Sequence, residues 1–155
     1  MAGKARETGV DETRKLAQAA DWLERLRASA NADAALVNRG RFVDAVVLFD
    51  TGASQHLLDI RRGRVEALAH GPFVMPRWDL ALRAPLAEWL AFWEAVPAPG
   101  HHDLMALIKR RVLRVEGDLH PFMANLLYFK ALMAAPRARP AALSTAPSTA
   151  LPEAS

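Results

Sequence analysis

The chain has 155 residues, of which 52% are hydrophobic and 24% charged, enough for one domain with its own core, and no apolar run approaches the roughly 18 residues of a membrane span. It contains no cysteine, which excludes disulfides, thiolate metal sites and cysteine nucleophiles together. The net charge of +3 is spread thinly, with tight basic clusters only at 61–64 and 109–111 and no interleaved aromatics, so no nucleic-acid surface is expected.

The first 41 residues read as an N-terminal helical segment packing on the domain. Its opening "MAGKARETGVDETRK" is charged and lacks an apolar centre, unlike a secretory signal. The closing "PEAS" matches no retention or peroxisomal address. A cytoplasmic protein is therefore expected. Leu16, Ala19, Ala20, Leu23 and Leu26 recur at helical spacing, with Trp22 widening the stripe. Residues 31–41 suggest a short helical turn ended by Gly40 in the left-handed cap conformation.

From residue 42 the pattern becomes extended. "FVDAVVLFD" (42–50), "QHLLDIR" (55–61), "VEALAH" (65–70) and "RWDLALRA" (77–84) read as four strands of a largely antiparallel meander. Gly63 supplies a tight turn between the second and third. In the fourth, Trp78, Leu80 and Leu82 alternate onto one face. Pro85 opens a helix striped by Leu86, Trp89, Leu90 and Trp93, and a second helix over 102–110 follows with Asp103 at its N-cap. "RVLRVEG" predicts a fifth strand, and Asp118 caps a last helix running to Met133. Its polar residues Asp118, His120, Asn125 and Lys130 form no continuous face, so this helix is buried on several sides, meets a partner or faces a cavity. The main domain thus spans 42–136. Residues 137–155, rich in Ala, Pro, Ser and Thr, cannot offset the entropy of ordering and are expected to form a disordered tail. The whole is an α+β domain with helices layered on a sheet.

Candidate chemistry is sparse. His101 and His102 are adjacent and cannot share a helix face, and Asp103 reads as a cap, so no metal site and no cofactor are expected. His56 and His70 in strands, and His120 at a helix start, read as structural or solvent-facing. Thr51 and Ser54 share a turn without a convincing base and acid. Asp50-Thr51-Gly52 repeats a tripeptide of aspartic proteases, but in the wrong order of elements. The glycines are dispersed, which leaves no phosphate loop. An enzyme is not expected.

The run "VVLFDTGASQHLLDIRRGRVEALAHGP", then "WDLALRAPLAEWLAFWEA", then "DLMALIKRRVLRVEGDLHPFMANLLYFKALM" resembles the sterol carrier protein type 2 family. The likeness rests on Asp50, Leu58 to Ile60, Gly63 to Val65, Asp79, Leu104 to Met105 and Val115 to Asp118, taken in order. It implies a five-stranded, mainly antiparallel sheet with helices packed on one face, enclosing an apolar tunnel. The function implied is non-catalytic carriage of a small lipophilic ligand: a fatty acyl chain, a sterol or a terpenoid-like molecule. The expected walls are Trp89, Phe92, Trp93, Leu104, Leu107, Ile108, Phe122, Met123, Leu126 and Leu127, over a floor of Trp78, Leu80 and Leu82. Two alternatives stay open. One is an interaction module with a collapsed tunnel, a homodimer or the partner of an enzyme, with Phe129 and Leu132 at the contact. The other is a factor acting on a lipophilic intermediate, with His101, His102 or His120 for acid–base work. Any membrane contact is expected to be transient.

Overall fold

Three antiparallel strands form the first half of the sheet in the computed structural model, which describes residues 3–137, with side chains from residue 9. These are β1 (Ala45–Asp50), β2 (Gln55–Arg61) and β3 (Arg64–His70). The turn from β2 to β3 uses Arg62 (φ 50°) and Gly63 (φ 81°), the two successive left-handed residues that a right-twisted two-residue hairpin requires. The chain then does not continue the meander. β4 (Leu80–Arg83) lies on the far side of β1 and runs parallel to it, and β5 (Arg114–Gly117) pairs antiparallel with β4. The order is β3-β2-β1-β4-β5, a mixed sheet in which three of the four pairings are antiparallel. The segment between β3 and β4 must cross the sheet from one edge. Asp79 anchors its end: its backbone N–H donates to Val46 O at 2.9 Å, and its carboxylate accepts from Val46 N at 2.8 Å.

Pairing aligns Ala45, Val47, Phe49, Leu58, Ile60, Val65, Leu80 and Leu82 on one face. All eight are buried in a single core. The helices cover this face. α1 (Gly3–Ala32) brings Ala19, Leu23, Leu26 and Ala30, each fully buried. Its Asn31 also closes the outer edge of β3: the side-chain amide donates to Val65 O at 3.0 Å and accepts from Val65 N at 2.9 Å, blunting an otherwise open strand edge. α2 (Ala34–Arg39) starts on Asp33, whose carboxylate accepts from Ala35 N and Leu36 N. α3 (Leu86–Phe92) and α4 (Leu104–Lys109) follow, the latter capped by Asp103 through Met105 N at 2.8 Å.

Two expectations about local conformation need correction. Gly40 has φ −92° and is not a left-handed cap. Its missing Cβ is needed because the Tyr128 ring lies directly against its Cα, while the Tyr128 hydroxyl donates to Gly63 O at 2.9 Å. The last helix is also two: α5 (Leu119–Ala124) and α6 (Leu126–Ala134). The break is at Asn125 (φ −119°, ψ 32°), whose side-chain amide donates to Pro121 O at 3.0 Å, a side-chain bond that competes with continued helix. The expected disordered tail falls outside the described residues apart from Arg137. No helix among the described residues is long and apolar enough to cross a membrane.

Candidate functional site

The apolar layer between sheet and helices is built around aromatic rings. α3 presents Trp89 and Phe92 inward, and Trp93 follows as its C-cap. Trp93 stacks on Trp22 of α1 (centroids 5.4 Å apart), on Phe49 of β1 (5.7 Å) and on Trp89 (5.7 Å), and Phe49 meets Trp89 at 4.4 Å. Phe92 packs edge-on to Trp89. One contiguous stack therefore joins α1, the sheet and α3. Sequence periodicity placed Trp22 on the apolar stripe of α1, but nothing in it tied Trp22 or Phe49 to this stack.

Of the thirteen residues expected to line a ligand site, Leu80, Leu82, Trp89, Phe92, Trp93, Leu104, Leu107 and Phe122 are buried in this one core, and Ile108 and Leu126 pack against it half-buried. Met123 and Leu127 point away, 54% and 67% exposed. Trp78 also stands apart. It precedes β4, so strand alternation does not extend to it, and its ring lies beside Gly117 with the Arg83 guanidinium 5.9 Å above. Phe129 and Leu132 are fully buried, which removes them from any exposed contact surface. Their burial follows from the kink at Asn125, which turns α6 onto the core.

The two buried indoles differ in one respect. Trp93 Nε1 donates to Met133 O at 2.8 Å. Trp89 Nε1 is equally buried and finds no acceptor among the described residues. An N–H removed from water without a partner costs about 1–3 kcal/mol. α6 stands between this tryptophan stack and a groove of about 870 Å³: Met133 O holds Trp93, while Ala131, Ala134 and Ala135 line the groove with Ala32, Ala34, Ala35, Leu36 and Ala95. Arg137 also lines the groove; its guanidinium lies over the Phe92 ring, 4.3 Å from its centroid, and donates to Phe92 O at 2.6 Å and His102 O at 3.1 Å.

The histidines do not converge on this layer as a group. His101 hydrogen-bonds Glu88 at 2.9 Å beside Arg110, and His102 is exposed. Asp103 pairs with Lys130; burial pushes its carboxyl up, but Lys130 and the Met105 amide outweigh this and hold it below its ordinary range. His56 and His70 come together elsewhere. His56 is fully buried, with Nδ1 2.7 Å from His70 Nδ1 and Nε2 2.8 Å from Ser54 Oγ. Burial, and then the neighbouring His70, lower the His56 pKa to about 4. Separate strand residues 14 positions apart gave no sign of this pairing, and Ser54 stands in the turn before β2, where strand alternation does not yet apply.

No protein-family model matches the chain, and no curated protein sequence matches it. Solved structures do. A crystal structure of sterol carrier protein 2 is 16% identical, superposing on 76% of this chain and 94% of its own with a TM-score of 0.61. A conserved hypothetical protein of Thermus thermophilus, described as possibly a sterol carrier protein, is 14% identical over 77% of this chain and 89% of its own, at TM-score 0.55. The sterol carrier protein domain 2 of Helicoverpa armigera is 8% identical over 74% and 86%, at TM-score 0.53. The α+β fold of this chain is the sterol carrier protein 2 fold.

Proposed function

We propose that this chain uses the sterol carrier fold to bind and carry a small lipophilic molecule, a fatty acyl chain, a sterol or a terpenoid-like compound, within the layer between sheet and helices. The observation that carries this reading is the unpartnered indole N–H of Trp89 inside that layer. A ligand with an apolar body and one terminal oxygen meets both needs of the site. Its body gains about 0.8 kcal/mol for each methylene buried, and its oxygen gives Trp89 Nε1 the acceptor that the described residues do not. Trp89, Phe92, Trp93, Leu104, Leu107 and Phe122 are the proposed walls, with Leu80 and Leu82 as the floor. α6 is the proposed door, because one of its sides lines the outer groove and the other holds Trp93. None of these walls carries a titratable group, which favours carriage over catalysis in this layer.

Intrinsic tryptophan fluorescence, titrated in turn with a fatty acid, an acyl-CoA and a sterol, tests the reading. At least one is expected to give a saturable change, with Trp89→Phe weakening its binding about tenfold through the lost hydrogen bond. No saturable change with any of the three, together with no co-purifying lipid by native mass spectrometry, contradicts it.

A further inference from the structure

At the start of β2, on the other side of Phe49 from Trp89, the turn from β1 assembles a continuous hydrogen-bonded chain. Phe49 spans the two places, its ring 4.4 Å from that of Trp89 and 6.4 Å from that of His56. Thr51 Oγ1 lies 2.9 Å from Ser54 Oγ, which lies 2.8 Å from His56 Nε2. His56 Nδ1 then meets His70 Nδ1 at 2.7 Å, and His70 Nε2 faces Glu24 Oε1 at 3.6 Å. The role of each ring nitrogen depends on the tautomer. With His70 Nδ1 as an acceptor, His56 Nδ1 donates to it, and His56 Nε2 is the bare nitrogen that accepts from the Ser54 hydroxyl.

This is a hydroxyl held on a neutral imidazole, whose other nitrogen is fixed by a second group, the relation by which a serine nucleophile is activated. Here a histidine stands in the orienting place, with the Glu24 carboxylate 3.6 Å beyond it; a histidine fixes the ring but does not stabilise its charged form. Ser54 also borders a cavity of about 300 Å³, lined by Leu16, Ala53, Pro72 and Phe73 together with Asp50 and Gln55. The apolar part of that lining suits a compact, uncharged acyl group, and its one carboxylate, Asp50, is already paired with Arg83.

We propose that Ser54 is a nucleophile that accepts an acyl group from a compact, neutral ester bound in this cavity, with His56 as its base and His70 and Glu24 as positioning residues. Ser54 Oγ attacks the carbonyl carbon while its proton moves to His56 Nε2. The new Oγ–carbon bond forms, the carbon–alkoxy oxygen bond breaks, and the departing alkoxide takes the proton from His56. The products are O-acyl-Ser54 and a free alcohol. The site stands independently of ligand carriage at Trp89 and needs none of its residues.

The test uses p-nitrophenyl acetate with the full chain, following release of p-nitrophenolate and mapping the acetyl group by peptide mass spectrometry. The expected result is a stoichiometric burst with acetyl on Ser54, absent in Ser54→Ala, and about a hundredfold slower in His56→Gln, the scale of general-base assistance. Because His56 is buried, Glu24→Gln serves as the second variant: Glu24 is a half-exposed helix residue, and its loss is expected to slow the burst several-fold. A slower burst in either folded variant supports the proposal. No acetyl on Ser54, or acetylation at the wild-type rate in both variants, overturns it.

Discussion

At the scale of single residues, the fold keeps polar atoms in its interior mostly where a partner meets them, and His56 makes the consequence measurable. Its imidazole is fully buried between Ser54 and His70. Burial and then the neighbouring His70 lower its pKa from 6.5 to about 4. The folded state therefore binds the proton more weakly than the unfolded chain. This contribution is neutral above about pH 6.5 and becomes destabilising as pH falls towards 4, where it reaches about 2–3 kcal/mol. Urea unfolding at pH 7 and pH 4.5 checks it. Wild type is expected to lose more stability between these two pH values than His56→Gln does, and an equal loss in both would remove His56 as the cause. The sequence showed the residues of this cluster but not the cluster. His56 and His70 are cross-strand partners only because the β2–β3 register shifts by one residue between Asp59 and Ile60; the Arg62-Gly63 turn alone would set His56 opposite Ala69. Ser54 reaches His56 from the turn before β2, where strand alternation does not apply, so this contact was not legible either.

At the scale of elements, periodicity located helices and strands well and located their ends and neighbours poorly. The stripe Ala19, Leu23, Leu26 became the buried side of α1, and Asp103 and Asp118 cap their helices as expected. Strand pairing carries no such local signature. Nothing within residues 80–83 says that β4 passes β2 to lie parallel to β1, because that choice is made by the whole sheet. The break at Asn125 did have a local signal, an amide able to bond its own preceding turn, but the apolar run around it hid it. Gly40 illustrates the opposite error, a conformational reading where the reason is space. The end of α2 and α6 touch through this residue and Tyr128. Gly40→Ala sets a methyl inside the ring and is expected to destabilise the protein by about 1–3 kcal/mol, measured as a lowered urea midpoint. In a Tyr128→Leu background the same change should cost much less. Equal losses in both backgrounds would mean that the ring is not what Gly40 accommodates.

At the scale of the whole molecule, every helix, and every strand but β5, buries at least one side chain in a single core, and β5 borders that core through Val115. The last helix, which in the sequence lacked a continuous polar face, is divided by the fold. α1 and α3 meet the sheet, and α4 and the inner side of α6 bury side chains in the same core, whereas Leu119, Met123 and Leu127 remain exposed on α5 and the start of α6. Eight of the thirteen expected site residues were legible as core because burial follows hydrophobic period. The distinctive atom, Trp89 Nε1, was not, because whether an indole N–H meets an acceptor depends on where distant carbonyls fall. Trp93 received Met133 O from 40 residues away, and Trp89 received none among the described residues. This asymmetry makes the ligand reading open to direct observation. The four tryptophans give four indole N–H signals in a ¹H–¹⁵N NMR spectrum, assignable by single Trp→Phe changes. On titration with the fatty acid, acyl-CoA or sterol that alters fluorescence, the Trp89 signal is expected to move downfield and saturate at one ligand per chain, as a hydrogen bond forms. If the Trp89 signal stays in place while the ligand binds, the ligand does not occupy this layer and the account of the site is wrong.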